Sequence, residues 1–207
     1  MALQPLPLIK EGDVPKKFSL NLAKPARFAV EVFWESPHDL DGHVLLATNS
    51  GNGAKITDFA QVLSTYNPNL PLVDGSAPSR VSGDKRPFMT PCRSLRHSGD
   101  ARTGIGATLD EVILIDGGLI PPGVNELPIF VTIHPSQRAK FADVKEAGIR
   151  IKNDQSVILG EFKLTDQFGQ FDAVQMGTLL LGQDGWEYVA AGAGFNGDFN
   201  TILSHFS

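Results

Sequence analysis

Asp39 and Asp41, in the run His38-Asp39-Leu40-Asp41-Gly42-His43, are the first residues whose types and spacing suggest chemistry. In an extended segment alternate side chains share a face, so the two carboxylates point the same way. Carboxylates held together repel unless a cation or a proton intervenes. A second segment runs from Arg96 to Glu111 and holds Asp100, Asp110 and Glu111 among the glycines Gly99, Gly104 and Gly106. The glycines permit a tight backbone path. The acids are hard oxygen donors of the kind Ca²⁺ takes, about six to eight oxygens at a time. Each segment also has a bland reading: a solvated acidic turn for the first, a glycine-rich hairpin loop with incidental acids for the second.

Other chemistries fit less well. An Asp-x-Asp-Gly-Thr phosphatase nucleophile loop needs a buried apolar run before it. Here Glu35-Ser36-Pro37-His38 intervenes, and His43 stands where Thr belongs. The acids of the second segment lack EF-hand spacing, and no Gly-Lys-Ser/Thr follows them. His97 near Asp100 suggests zinc or general-base work, but no His–Cys cluster accompanies it, so it reads as a hydrogen-bonded sheet histidine. His134 reads as structural, Cys92 as an unremarkable thiol, and Trp34 and Trp186 as core. No Ser-His-Asp order, nucleophile elbow or Rossmann glycine pattern is present, which argues against a hydrolase or a dehydrogenase.

The elements that must position these residues read mostly as strands. Phe28, Val30, Val32 and Trp34 alternate on one face. Val44–Ala47, Glu111–Ile115, Ile129–Ile133, Gly148–Lys152, Val157–Leu164, Ala173–Leu181 and Trp186–Ala190 follow as further strands, with Asp184-Gly185 as a hairpin turn. A weak strand is predicted around Phe18–Leu22. Seven glycines and prolines between Pro68 and Pro91 predict a long excursion over 68–94 with at most brief structure. Phe199, Ile202, Leu203 and Phe206 predict a C-terminal amphipathic helix, with Asp198 as its N-cap. Short, evenly spaced strands with little helix predict an all-β sandwich. The expected organisation is an N-terminal arm at 1–26 and a sandwich over 27–207 that carries the excursion as an inserted loop.

Composition sets the outer bounds. The 207 residues are 42% hydrophobic and 20% charged, which excludes disorder as the main state. Lys and Arg number 18 against 23 Asp and Glu, a net charge of −5, and no basic stripe offers a nucleic-acid surface. The single cysteine precludes an intrachain disulfide. Met1–Pro7 lacks a basic start and a continuous apolar core, so no secretory signal is expected. No apolar run is long enough for a transmembrane helix.

Taken in order, Trp34, then Asp39-Leu40-Asp41, Tyr66-Asn67, and Arg96-His97-Ser98-Gly99-Asp100-x-Arg102-Thr103-Gly104-x-Gly106-x-x-x-Asp110-Glu111 resemble the tellurium-resistance TerD family. The match continues through Ile129–His134, Gly148–Ile151 and Gly185–Tyr188 to Ala191–Phe195. The resemblance implies a TerD-like β-sandwich that binds Ca²⁺ through Asp39, Asp41, Asp100, Asp110 and Glu111. It implies a role in tellurite resistance or stress response, no catalytic activity, and a cytoplasmic location. The family loop usually carries extra acids where this chain has Ala107 and Leu109, which points to one Ca²⁺ rather than two. Protein partners or self-assembly into a homo-oligomer are expected, with no nucleic acid. The rival expectation is a structural subunit of a large assembly, such as a phage capsid or tail component, built on the same sandwich.

Overall fold

A computed structural model describes residues 6–7, 16–76, 84–104, 111–164, 166–190 and 192–207. Two seven-stranded sheets face each other. The first runs, in spatial order, β1 (Leu6–Pro7), β13 (Ile158–Lys163), β12 (Lys145–Asn153), β3 (Arg27–Glu35), β10 (Glu111–Asp116), β9 (Leu95–His97) and β8 (Phe88–Met89). The second runs β2 (Lys16–Leu22), β15 (Trp186–Ala190), β14 (Ala173–Leu181), β11 (Glu126–Ile133), β4 (Leu40–Leu45) and β7 (Val62–Leu63), with β16 (Ala193–Phe195) also paired to β14. A small ribbon, β5 (Thr48–Asn49) with β6 (Ala54–Lys55), stands apart. The expected β-sandwich is therefore the architecture found.

Period-two patterning builds the interface between the sheets. Phe28, Val30, Val32 and Trp34 on β3 are buried in one core with Ile113 and Ile115 of β10 and Ile149 and Ile151 of β12. Leu40 and Val44 of β4 and Ile129 and Val131 of β11 complete it from the other sheet. β11 does not alternate: Leu127 through Ile133 are all buried. Its second face is covered by the C-terminal helix α1 (Phe199–Leu203). Phe199, Ile202, Leu203 and Phe206 form a separate apolar cluster with Leu45, Val62 and Phe130. Asp198 caps this helix by accepting from Thr201 N at 2.9 Å, as its place in the sequence predicts.

Three regions differ from the sequence reading. β4 starts at Leu40 rather than Val44, so the acidic run is itself part of a strand. The N-terminal arm, expected to carry one weak strand, carries two: Lys16–Leu22 pairs antiparallel with β15, and Leu6–Pro7 pairs parallel with β13. The proline-rich excursion contributes to the core. Leu70, Leu72 and Phe88 are at most 1% exposed. Leu72 bridges Phe88, and Met89 N donates to Pro71 O at 3.0 Å. Prolines kept this stretch from reading as a strand, yet its apolar side chains still fill the sandwich end.

Candidate metal centre

Three of the five predicted carboxylates meet. Asp39, Asp41 and Asp100 each offer an oxygen within 4.8 Å of the others. Their burial excludes the solvated-turn reading: they are 6%, 1% and 8% exposed. Glu111 lies behind them, and Asp110 falls outside the described residues.

Local structure fixes each acid. Asp39 precedes β4 and Asp41 lies within it, so strand alternation puts both carboxylates on one side. The approach to Asp39 is held by Trp34, whose indole N–H donates to His38 O at 2.8 Å. The Asp39 carbonyl accepts from His134 N at 2.9 Å. His134 is thus on β11's end as a backbone anchor, the structural part expected of it. Asp100 arrives from the loop after β9. There Gly99 takes φ +107°, and a Cβ on it would meet Lys85 O at 2.1 Å, so only glycine fits this bend. Asp100 N then donates to Asp84 O at 3.2 Å. Gly104 packs so closely on Trp34 that an added Cβ would lie 2.4 Å from Trp34 O.

The sequence reading missed two residues that complete the site. Thr65 Oγ1 donates to Asp41 Oδ1 at 2.7 Å, and the Tyr66 hydroxyl donates to Asp41 Oδ2 at 2.5 Å. Tyr66 belongs to the quoted family pattern, so its presence was visible, but nothing in the sequence tied it to Asp41. The Tyr66 oxygen also lies 3.2 Å from Thr132 Oγ1, which lies 2.9 Å from His43 Nε2. One consistent donor order runs from His43 Nε2–H through Thr132 and Tyr66 to Asp41. His43 is fully buried, and that burial holds its pKa well below the usual histidine value, which suits the neutral ring this order requires. Its ring packs, tilted, 4.3 Å from that of Phe199, and Tyr66 sits 5.8 Å from the same Phe199 ring. The acidic site is thereby wired to α1.

Glu111 serves the scaffold. Its Oε2 accepts from Gly42 N at 2.7 Å and its Oε1 from Ala101 N at 3.3 Å, so one carboxyl braces the backbone of both acid-bearing segments. His97 Nε2 lies 3.3 Å from the same Oε2, and the His97 ring stacks on Phe88 at 4.6 Å. His97 is a sheet histidine with partners, as its setting in the sequence suggests.

Electrostatics describe a cluster in need of positive charge. Burial, and then the neighbouring Glu111 charge, push Asp41 up to about 7 despite the Tyr66 and Thr65 hydrogen bonds. Burial, and then the Asp100 charge, raise Asp39. Burial raises Glu111 well above the carboxylate range. Asp39 Oδ1 and Asp100 Oδ1 are buried with no hydrogen-bond partner. Buried carboxylate oxygens without partners carry the full cost of lost hydration, which a cation offsets. The three oxygens lie within 4.8 Å of one another, close enough for one Ca²⁺, with its ligands at about 2.3–2.6 Å, to touch them all. All three ligands are oxygens, with neither Cys nor His among them, which disfavours zinc.

Comparison with known proteins finds likenesses to TerD-domain and stress proteins. The TerD domain model matches residues 87–206. The tellurium resistance protein TerD of Serratia marcescens is 29% identical over 210 residues, spanning 96% of this chain and 95% of that protein. General stress protein 16U of Bacillus subtilis is 28% identical over 116 residues, 55% of this chain and 60% of its own length. A crystal structure of a telluride-resistance (TerD) homologue from Streptomyces coelicolor superposes with a TM-score of 0.57 at 18% identity, over 86% of this chain and 95% of that one.

Proposed function

The chain belongs to the TerD domain family, whose members are named for tellurium resistance and stress response, and from that premise we propose that it is a non-enzymatic Ca²⁺-binding module. The observation that carries this reading is the convergence of Asp39, Asp41 and Asp100, two of which bury an oxygen with no partner. These three would hold one ion. Thr65 and Tyr66 fix the Asp41 carboxylate, and Glu111 aligns the two backbone segments. The ion would supply charge neutralisation and cross-link β4 to the loop after β9. Ca²⁺ binding then stabilises the sandwich end and the module that partners or further copies of the chain recognise.

A non-catalytic role fits the environment of the acids. Thr65 and Tyr66 hold one oxygen each of the Asp41 carboxylate, which fixes it in the manner of a ligand to a bound ion. No helix among the described residues is long and apolar enough to cross a membrane. A cytoplasmic role in a stress response is the setting in which this module is proposed to act.

Native mass spectrometry tests the reading. The chelator-treated protein should gain the mass of one Ca²⁺ per chain when CaCl₂ is added, and the same spectra report oligomeric state. Absence of a calcium adduct at millimolar Ca²⁺ would contradict the proposal.

A further inference from the structure

The two outer faces of the sandwich are treated differently. α1 covers part of the second sheet, whereas the first sheet leaves a concave face of about 600 Å³ over β12, β3, β10 and β9. That volume lies in the range of small-molecule sites, about 300–1,000 Å³. One cross-strand row gives its floor: Lys152 opposes Ala29, Ala29 opposes Leu114, and Leu114 opposes Arg96. Leu114 is 48% exposed, unusual for a central strand position.

Charge gives the floor a direction. Arg27 is committed to Asp116 at 2.7 Å, and Lys152 to Glu31 at 2.6 Å. Arg93 and Arg96 line the same face at its β9 end, are exposed, and make no side-chain ion pair or hydrogen bond among the described residues. The remaining carboxylate of the rim, Asp154, follows β12, with β3 and β10 between it and β9. Two uncommitted guanidiniums therefore stand at one end of a floor whose middle, Ala29 and Leu114, is apolar, on a chain whose net charge is −5. Guanidinium forks match phosphate oxygens in geometry and charge.

We propose that this face binds a small phosphorylated metabolite, with its phosphate on Arg93 and Arg96 and its apolar or planar body over Leu114 and Ala29. The site is separate from the acidic cluster, because Arg96 and Leu114 point to the opposite side of their strands from His97 and Ile113, which are buried.

Titration of the ¹⁵N-labelled full chain tests it, with adenosine monophosphate as probe and inorganic phosphate and phosphatidylglycerol vesicles as comparisons. Saturable shifts confined to β9, β10 and β3 are expected, with the nucleotide tighter than phosphate. Binding should weaken at least about tenfold in the Arg93→Ala, Arg96→Ala double variant and weaken with added salt. Lys17→Ala, at the exposed ion pair with Glu187, should leave it unchanged. The substituted arginines are exposed, so the melting temperature should not move and serves as the folding control. Binding that survives the double variant overturns the proposal. So does an absence of shifts at millimolar nucleotide, or response to the vesicles alone, which would assign the face to a membrane surface.

Discussion

Glu111 braces the site from behind. Both its oxygens accept backbone N–H groups, one from each acid-bearing segment. Glu111→Ala would leave the buried Gly42 N–H unmatched, at about 1–3 kcal/mol, and the half-buried Ala101 N–H without its partner at a smaller cost. Urea unfolding of the metal-free protein should show a loss of that order, with Glu111→Gln milder because its carbonyl still accepts. Equal stability of the alanine variant and the parent would contradict the bracing role. Asp41 makes the acidic site pH-dependent. The unfolded chain releases this proton near 3.8 and the folded, metal-free chain near 7. Between those values the folded state binds more protons, so stability falls as pH rises from about 4 to about 7. The urea midpoint in chelator should decline between pH 5 and 7, and Ca²⁺ should flatten that decline; a rising midpoint in chelator would refute this sign. At this scale the sequence was partly legible. Period two placed Asp39 and Asp41 together. The same period, applied to Glu111, Ile113 and Ile115, turns Glu111 inward and separates it from an exposed ligand, but acid count alone gave no such direction. Thr65 and Tyr66 were hidden because a hydroxyl reveals no partner until the chain closes.

Among the elements, α1 is joined to the acidic site through side chains. Phe199 packs on Tyr66 and His43, and Tyr66 donates to Asp41. Phe199→Ala removes a buried ring, a change that costs about 3–5 kcal/mol in well-packed cores. The amides of Phe199–Phe206 should exchange hydrogen faster in this variant, and Ca²⁺ should bind more weakly because Tyr66 loses a wall. Unchanged exchange across the helix would contradict the coupling. The helix itself was readable from its apolar spacing and its Asp198 cap, both local signals. The extent of β4 was not. Its first half holds Asp41, Gly42 and His43, which do not read as strand formers, and it is the pairing of these residues with β11, together with burial, that extends the strand through them.

Over the whole molecule, topology carries what local pattern could not. Leu70, Leu72 and Phe88 are separated in sequence from every strong strand, and prolines around them mask their apolar character. Leu72→Ala should cost about 2–5 kcal/mol, and excision of 70–92 should abolish the cooperative unfolding transition. Retention of a sharp transition after excision would return this segment to the status of a surface loop. The meeting of Asp100 with Asp39 and Asp41 is likewise a property of the closed sandwich. In the sequence the two segments were linked only through their resemblance to a family pattern. A Ca²⁺ site at Asp39, Asp41 and Asp100 is tested most directly by the thermal melt of the parent and of the Asp41→Asn, Asp100→Asn double variant, each with chelator and with Ca²⁺. A ligand that binds the folded state at a hundredfold excess over Kd stabilises it by about 2.7 kcal/mol. Ca²⁺ should raise the melting temperature of the parent by several degrees and leave the double variant unmoved. An unchanged parent melt at millimolar Ca²⁺, or an equal rise in the double variant, would contradict it.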